Sequence, residues 1–267
     1  MPLFLRHSLA LLAVLFAASC SFFGGEIDET KGWSAQKLYA EAKRELDDRN
    51  YENAIKLYQK IEARYPHGRF AQQAQLEIAY AYYKDEQPAE AITTAERFMK
   101  MHPNHPNVDY AYYLRGLCNF NGDLGWLGWI GGQDLSERDP KAAREAFMAF
   151  KELATRYPKS KYTPDAVQRM KYLVNALAEH EVHVARYYMK RGAYLAAANR
   201  AQFAVERYPQ APATEEGLVI MMQAYDKLEM RELHKDAERI LMANFPKSPY
   251  LTGELKKDSS WWQIWNR

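Results

Sequence analysis

The sequence predicts an all-α stack of about five helical hairpins, and three observations carry that reading. An Arg-Tyr-Pro motif recurs at 64–66, 156–158 and 207–209, with degenerate copies at Met101-His102-Pro103 and Asn244-Phe245-Pro246. Alanine stands twelve residues before four of the five prolines, at Ala54, Ala91, Ala146 and Ala197. Five residues before them stand Ile61, Phe98, Leu153, Ala204 and Leu241. Small and apolar residues at helical spacing that run into a proline describe a helix and its stop.

The elements follow in order. Helical pairs are predicted over 34–48 with 51–64, 69–84 with 88–101, 107–120 with 140–156, 164–191 with 194–207, and 212–228 with 231–244. Asn50, Gln87 and Gly192 mark the turns inside hairpins. Thr163-Pro164 and Ala211-Pro212 read as helix starts, since Pro suits a first turn. Tyr58 and Phe150 stand eight before their prolines. This pattern resembles the tetratricopeptide repeat, a helical hairpin of about 34 residues. The resemblance implies a right-handed superhelical solenoid, with Ala42, Ala79, Gly116 and Ala185 at the small position of the first helices. Only a small side chain there lets the two helices touch closely. The fifth repeat departs twice, with His234 in the alanine slot and Met222 in the small slot.

Two repeats are irregular. The third carries a Gly-rich insert at 121–139, expected as a loop bearing Trp126, Trp129 and Ile130. The fourth has an extended first helix, about 42 Å long at 1.5 Å per residue. That helix is expected to join an N-terminal module, 34–158, rigidly to a C-terminal module, 159–246. The tail, 247–267, is polar until Trp261, Trp262, Ile264 and Trp265. Those rings are expected to cap the last repeat or to dock on a partner.

Residues 1–19 read as a secretory signal, with Arg6 ahead of an apolar run from Leu9 to Ala18. The run is too short to span a bilayer, which takes about 20 residues. Ala17-Ala18-Ser19 before Cys20 resembles the lipobox of bacterial lipoproteins, although that pattern favours Leu where Ala17 stands. The resemblance implies S-diacylglycerol and N-acyl groups on Cys20, and Ser21 in place of an Asp implies sorting to the outer membrane, at its periplasmic face. Two or more acyl chains hold a protein stably to a membrane. Residues 20–33 are expected to form a lipidated, flexible tether. Cys118 is then left without a disulfide partner.

Lys plus Arg number 36 and Asp plus Glu 34, so the net charge is +2. No nucleic-acid partner is expected, because one would leave a basic footprint. Catalytic patterns are absent. His180-Glu181-Val182-His183 is a near miss of a zincin motif, which needs His at i and i+4, where Val184 stands. The glycines at 122, 125 and 128 do not form a GxGxxG frame. Neither an enzyme, nor a metal, nor a cofactor other than the lipid is expected.

A binding scaffold remains. Such solenoids hold extended peptides on the face lined by first helices. Threading the repeat places Tyr39 and Lys43, then Gln73, Leu76, Tyr80 and Tyr83, then Tyr110, Tyr113 and Phe120 on that face. The tyrosines are expected to form a groove that stacks on aromatic side chains and donates phenol hydrogen bonds. Arg97 and Arg115 are expected to add positive charge beside it.

Four stretches are more specific: 63–84, 105–119, 135–147 and 191–200. They resemble the BamD family, lipoprotein subunits of the machine that folds β-barrel proteins into the Gram-negative outer membrane. The resemblance spans about 34–246. It implies binding to the barrel subunit BamA through a POTRA domain, in company with other lipoproteins of the complex. The matching segment is 192–200, where Tyr194 and a salt-bridging Arg200 are the expected contacts. It also implies that the first three repeats read the C-terminal signal of unfolded barrel precursors, an extended strand ending in an aromatic residue. A different class of function would be a lipid-anchored adaptor linking the outer membrane to peptidoglycan or to a DNA-uptake apparatus.

Overall fold

A computed structural model describes residues 28–128 and 140–252, and these are helical almost throughout. The helices are α1 (Ala35–Asp47), α2 (Tyr51–Arg64), α3 (Arg69–Lys84), α4 (Pro88–Met101), α5 (Val108–Gly128), α6 (Lys141–Arg156), α7 (Thr163–Lys190), α8 (Tyr194–Arg207), α9 (Ala213–Lys227), α10 (Arg231–Asn244) and the short α11 (Pro249–Thr252). Each of the first ten packs on its neighbours in sequence, so odd and even helices form five hairpins. The odd helices also touch one another, α1 with α3, α3 with α5 and α7 with α9. Consecutive even helices touch far less. The stack therefore closes on the odd-helix side, which becomes the inner face.

The repeated positions are the core. Ala42, Ala79 and Ala185 on odd helices and Ala54, Ala91, Ala146 and Ala197 on even ones are wholly buried. So are Tyr58, Phe150, Ile61, Phe98, Leu153, Ala204 and Leu241. In the third hairpin the closeness is measurable: a Cβ on Gly116 would lie 2.4 Å from the Phe150 ring. In the fifth, the two departures meet, since His234 Nδ1 donates to the Met222 carbonyl oxygen at 3.0 Å. A polar contact there replaces the usual close approach of alanines.

The helix ends repeat as faithfully. Tyr65, His102, Tyr157, Tyr208 and Phe245, each just before its proline, share φ between −128° and −132° and ψ between 53° and 62°. Proline disfavours the helical conformation in the residue before it, which stops each even helix at the same place. Inside the hairpins a left-handed residue makes the turn: Arg49 (φ 64°), Glu86 (φ 58°), Gly192 (φ 72°) and Glu229 (φ 59°). In the first two hairpins this is one residue earlier than the expected Asn50 and Gln87.

The 28-residue α7 belongs to two cores. Ala166, Leu173 and Leu177 join a cluster built on α3 to α6. Val182 and Ala185 join the cluster of α8, α9 and α10. A third cluster lies between α1, α2 and α3.

Three expectations change. Helix α5 runs on to Gly128, so Trp126 stands on a helix and not on a loop. The glycines cost helix stability, about 1 kcal/mol each, but no proline intervenes before Pro140 to stop it. Trp129, Ile130 and the rest of the insert lie outside the described residues. The tether is not free up to Trp33. Asp28 pairs with Lys60 at 2.7 Å and with Arg64, Arg64 also donates to the Thr30 carbonyl at 2.8 Å, and Tyr65 Oη donates to the Trp33 carbonyl at 2.7 Å. Residues 28–33 are thereby laid against the end of α2. Finally, the tail continues the fold at least to Thr252, with Tyr250 and Leu251 packed on the last cluster. Cys20 and Trp261 to Trp265 lie outside the described residues.

Two glycines separate the backbone and packing contributions. Gly192→Ala meets no atom within 4 Å, so it should cost only the left-handed backbone, about 1 kcal/mol. Gly116→Ala should cost about 1–3 kcal/mol, because Phe150 is buried and cannot yield freely. Urea denaturation would rank them.

Asp28 gives a pH test. The hydrogen bond from Lys60, then that from Thr30, holds its carboxyl well below the usual carboxylate range. A depressed carboxylate stabilises above its unfolded pKa, about 3.9, and loses that contribution as pH falls through its lower folded value. Amide exchange at 29–33 should stay slow at mildly acidic pH and accelerate only in stronger acid. Asp28→Asn should accelerate it at neutral pH.

Candidate functional site

The inner face carries a continuous line of aromatic rings. At one end, Tyr39 of α1 packs on Tyr58 and Phe70, with ring centres 5.5 Å away in each case. Its phenol donates to Glu77 Oε1 at 3.3 Å, and Gln73 Nε2 donates to the same oxygen at 3.0 Å. Tyr80 and Tyr83 of α3 follow, near enough to Tyr110 of α5 to raise its phenol, although burial is the larger cause. The Tyr110 ring lies 5.3 Å from that of Tyr162, just before α7. Tyr162 in turn stacks on Tyr113, with centres 4.9 Å apart and planes 16° off parallel.

A charged knot follows. Tyr113 Oη donates to Asp165 Oδ2 at 2.6 Å, and Arg169 Nε donates to the same oxygen at 2.6 Å. Burial, with Asp165 assisting, pushes the Tyr113 phenol up to about 12. The Arg169 guanidinium sits over the Phe120 ring, 4.8 Å from its centre. Phe120 meets Tyr172 edge to face at 5.9 Å. The predicted tyrosines are each half-buried. They seal the seam between first helices with one side and leave the other to solvent. The line thus presents ring faces and edges, phenols and several cations, since the Arg69 guanidinium lies 5.0 Å from the centre of the Phe70 ring and Lys161 Nζ 5.0 Å from that of Tyr162.

One threaded residue and the two expected arginines lie elsewhere. Leu76 is buried in the seam, 3% exposed. Arg97, on an even helix, pairs with Glu62 of the preceding even helix at 3.2 Å. Arg115 turns to the even helices, with Glu152 at 2.5 Å and Glu96 at 3.6 Å. It lines a cavity of about 650 Å³ on that side, with Ile92, Met148 and Arg156. Neither arginine joins the tyrosines, because the face of a helix on which a residue lies depends on its register, and these two registers point outward. Arg169 is the guanidinium at the far end of the line. Sequence reasoning passed over it, with Tyr162, Asp165 and Tyr172, because the repeat frame does not extend over the first half of α7. Asp165, Arg169 and Tyr172 do stand at i, i+4 and i+7, the spacing of one helical face.

The segment 192–200 lies on the even side. Tyr194 is half-buried against the last cluster. Arg200 is already engaged: its Nη1 lies 2.9 Å from Glu181 Oε2, and Arg144 Nη2 lies 3.7 Å from Glu181 Oε1. Glu181 is 1% exposed and stands where α7 passes from one core to the next. Elsewhere on α8, Leu195 and Phe203 are 54% and 43% exposed. Among the described residues, no three His, Cys, Asp or Glu side chains gather as metal ligands, and no helix is long and apolar enough to cross a membrane. Burial pushes the Cys118 thiol up to about 12.

Fold and inner face together define a helical-repeat scaffold. The chain matches the outer membrane lipoprotein family YfiO over residues 32–241. It is 49% identical to the outer membrane protein assembly factor BamD of Neisseria meningitidis serogroup A, over 98% of this chain and 100% of that protein. It is 37% identical to BamD of Xylella fastidiosa strain Temecula1, over 91% and 85% respectively. Among solved structures, MamA is similar to it at 16% identity with a TM-score of 0.36, covering 77% of this chain and 93% of that one. The chain belongs to the BamD family of outer membrane lipoproteins, a family of scaffolds and not of enzymes.

The Glu181 cluster bears on any test of Arg200. Arg200→Glu sets a second carboxylate beside one that is buried, so it should cost about 2 kcal/mol or more. Arg200→Lys should cost less. Thermal unfolding of both variants would separate this structural loss from the loss of a partner contact.

Proposed function

We propose that the chain is a non-enzymatic scaffold of outer-membrane β-barrel assembly, held to the periplasmic face of the outer membrane by lipid on Cys20. In this reading the inner line of rings receives the C-terminal signal of unfolded barrel precursors. The segment around Tyr194, Arg200 and the exposed Leu195 and Phe203 meets a POTRA domain of BamA, beside other lipoproteins of the complex. The relatives named as outer membrane protein assembly factors support the role.

The observation that carries the groove is the run from Tyr39 to Tyr172, with Arg169 over Phe120 at its far end. An extended strand that ends in an aromatic residue needs a ring-lined surface for its side chain and a cation for its carboxylate. Tyr172 is 48% exposed and meets Phe120 edge to face at this end of the line. Arg169 spends Nε on Asp165, and the rest of its planar fork matches a carboxylate.

The test is peptide binding by calorimetry, with a strand peptide ending in Phe as free acid or amide. Tyr172→Ala should weaken the free acid about tenfold, or about 1.4 kcal/mol. Arg169→Gln should weaken the free acid and leave the amide unchanged, removing the preference between them. Wild-type protein that binds acid and amide equally would remove Arg169 from the reading. If neither peptide binds, the groove itself fails.

A further inference from the structure

Two carboxylates of the inner line each accept from a tyrosine, Glu77 from Tyr39 and Asp165 from Tyr113. They differ in what stands beside them. Asp165 is paired at 2.6 Å with Arg169, one turn further along its helix. One turn from Glu77 stands the neutral Gln73, whose Nε2 donates to the oxygen that Tyr39 also reaches. Glu77 forms no ion pair among the described residues. We infer that Glu77 is a subsite for a Lys or Arg side chain of the extended chain bound along the inner line. The inference rests on the reading of that line as a peptide groove.

The surroundings of Glu77 suit a cation. The residue is half-buried, and its charge reaches the rings about it. Burial, then Glu77, raises the phenols of Tyr39 and Tyr58. Burial and Tyr80, then Glu77, raise that of Tyr110. Tyr58 is wholly buried, and its hydroxyl has no hydrogen-bond partner among the described residues. A carboxylate set among rings offers an entering ammonium or guanidinium a charge-assisted hydrogen bond and aromatic faces together. Withdrawing a carboxylate from water is costly unless a counter-charge meets it. The fold does not bring one. Lys37 lies over the Trp33 ring, Lys43 pairs with Asp47, and Arg69 lies over Phe70.

The stacking of the repeats sets the register. Glu77 on α3 and Arg169 on α7 stand two first-helix spacings apart, about 16–20 Å for packed helices. An extended chain covers that distance in about five or six residues. With the terminal carboxylate at Arg169, the basic side chain therefore stands about five or six positions before the end of the strand. An anion at one end of the line and a cation at the other also give the bound strand one direction.

Calorimetry on the full chain with Phe-ended, free-acid peptides tests this. A neutral peptide is compared with peptides that carry a single Arg, moved from the third to the eighth position from the end. Wild type should bind the best of the Arg peptides about tenfold more tightly than the neutral one, or about 1.4 kcal/mol. The preference is read within each protein, so a general loss of stability does not imitate it. Glu77→Gln keeps an acceptor for Tyr39 and should remove the preference. Glu77→Lys should reverse it, in favour of a peptide with Glu at the same position. No preference in wild type at any position, or a preference that survives Glu77→Gln, would overturn the subsite and leave the groove standing. Carbodiimide coupling of wild-type protein to the matching Lys peptide needs no variant. An amide between the Lys amine and the Glu77 carboxyl, mapped by mass spectrometry, supports the proposal, and coupling confined to other carboxylates would overturn it. If no Phe-ended peptide binds, the groove reading fails. The same coupling with N-acetyl-lysine methylamide then decides the cation site alone, an amide at Glu77 supporting it and none overturning it.

Discussion

Everything in this molecule depends on how closely the two helices of a hairpin can cross. In the first four hairpins the crossing positions hold buried alanines, or Gly116 against the Phe150 ring, where no Cβ fits. Close crossing brings the larger residues five and eight before each proline, among them Tyr58, Phe98, Phe150 and Leu153, wholly out of water. Each such ring or branched chain contributes about 1.5–3 kcal/mol on burial. A hairpin that could not approach so closely would lose both contacts. His234 and Met222 show the limit of the rule, since the last hairpin replaces small residues with a hydrogen bond from a ring to a carbonyl.

Close crossing also decides the inner face. Odd helices that touch each other leave little room for side chains between them, so long residues there must lie along the surface. Tyrosine suits such a place, because its ring seals the seam and its hydroxyl reaches a polar partner. Glu77 and Asp165 supply those partners on neighbouring helices. The same residues therefore hold adjacent repeats together and line the inner face, with their rings held in place by partners on the next repeat.

The long α7 carries the fold across its junction. Its first half completes one core and its second half begins another, with Glu181 between them. A carboxylate buried at such a point must be paired, and Arg144 and Arg200 reach it from α6 and α8. Three helices are thereby tied at the place where the repeat frame is interrupted. The arginine expected to face a partner is also a structural member. Contact with a partner at Arg200 would thus be felt at the junction between the cores.

The sequence by itself determined the hairpins, their order and their buried positions. Those features are local: a proline stop, a left-handed turn and a helical period are written within a dozen residues of each other. It also marked Tyr39, Tyr80, Tyr83, Tyr110 and Tyr113 as residues of first helices, and these do lie along one face. Only the tertiary structure decided which charges accompany them. Arg97 and Arg115 stand in the right repeats but point to Glu62 and Glu152 on the outer side, because a step of one residue turns a helix by about 100°. Arg169 enters the line from an extension that the repeat frame does not cover. Glu181, read as part of a failed metal motif, became the tie between two cores. Contacts of this kind join residues up to 52 positions apart, as Tyr113 and Asp165 are, and no local pattern specifies a meeting that depends on how successive hairpins stack.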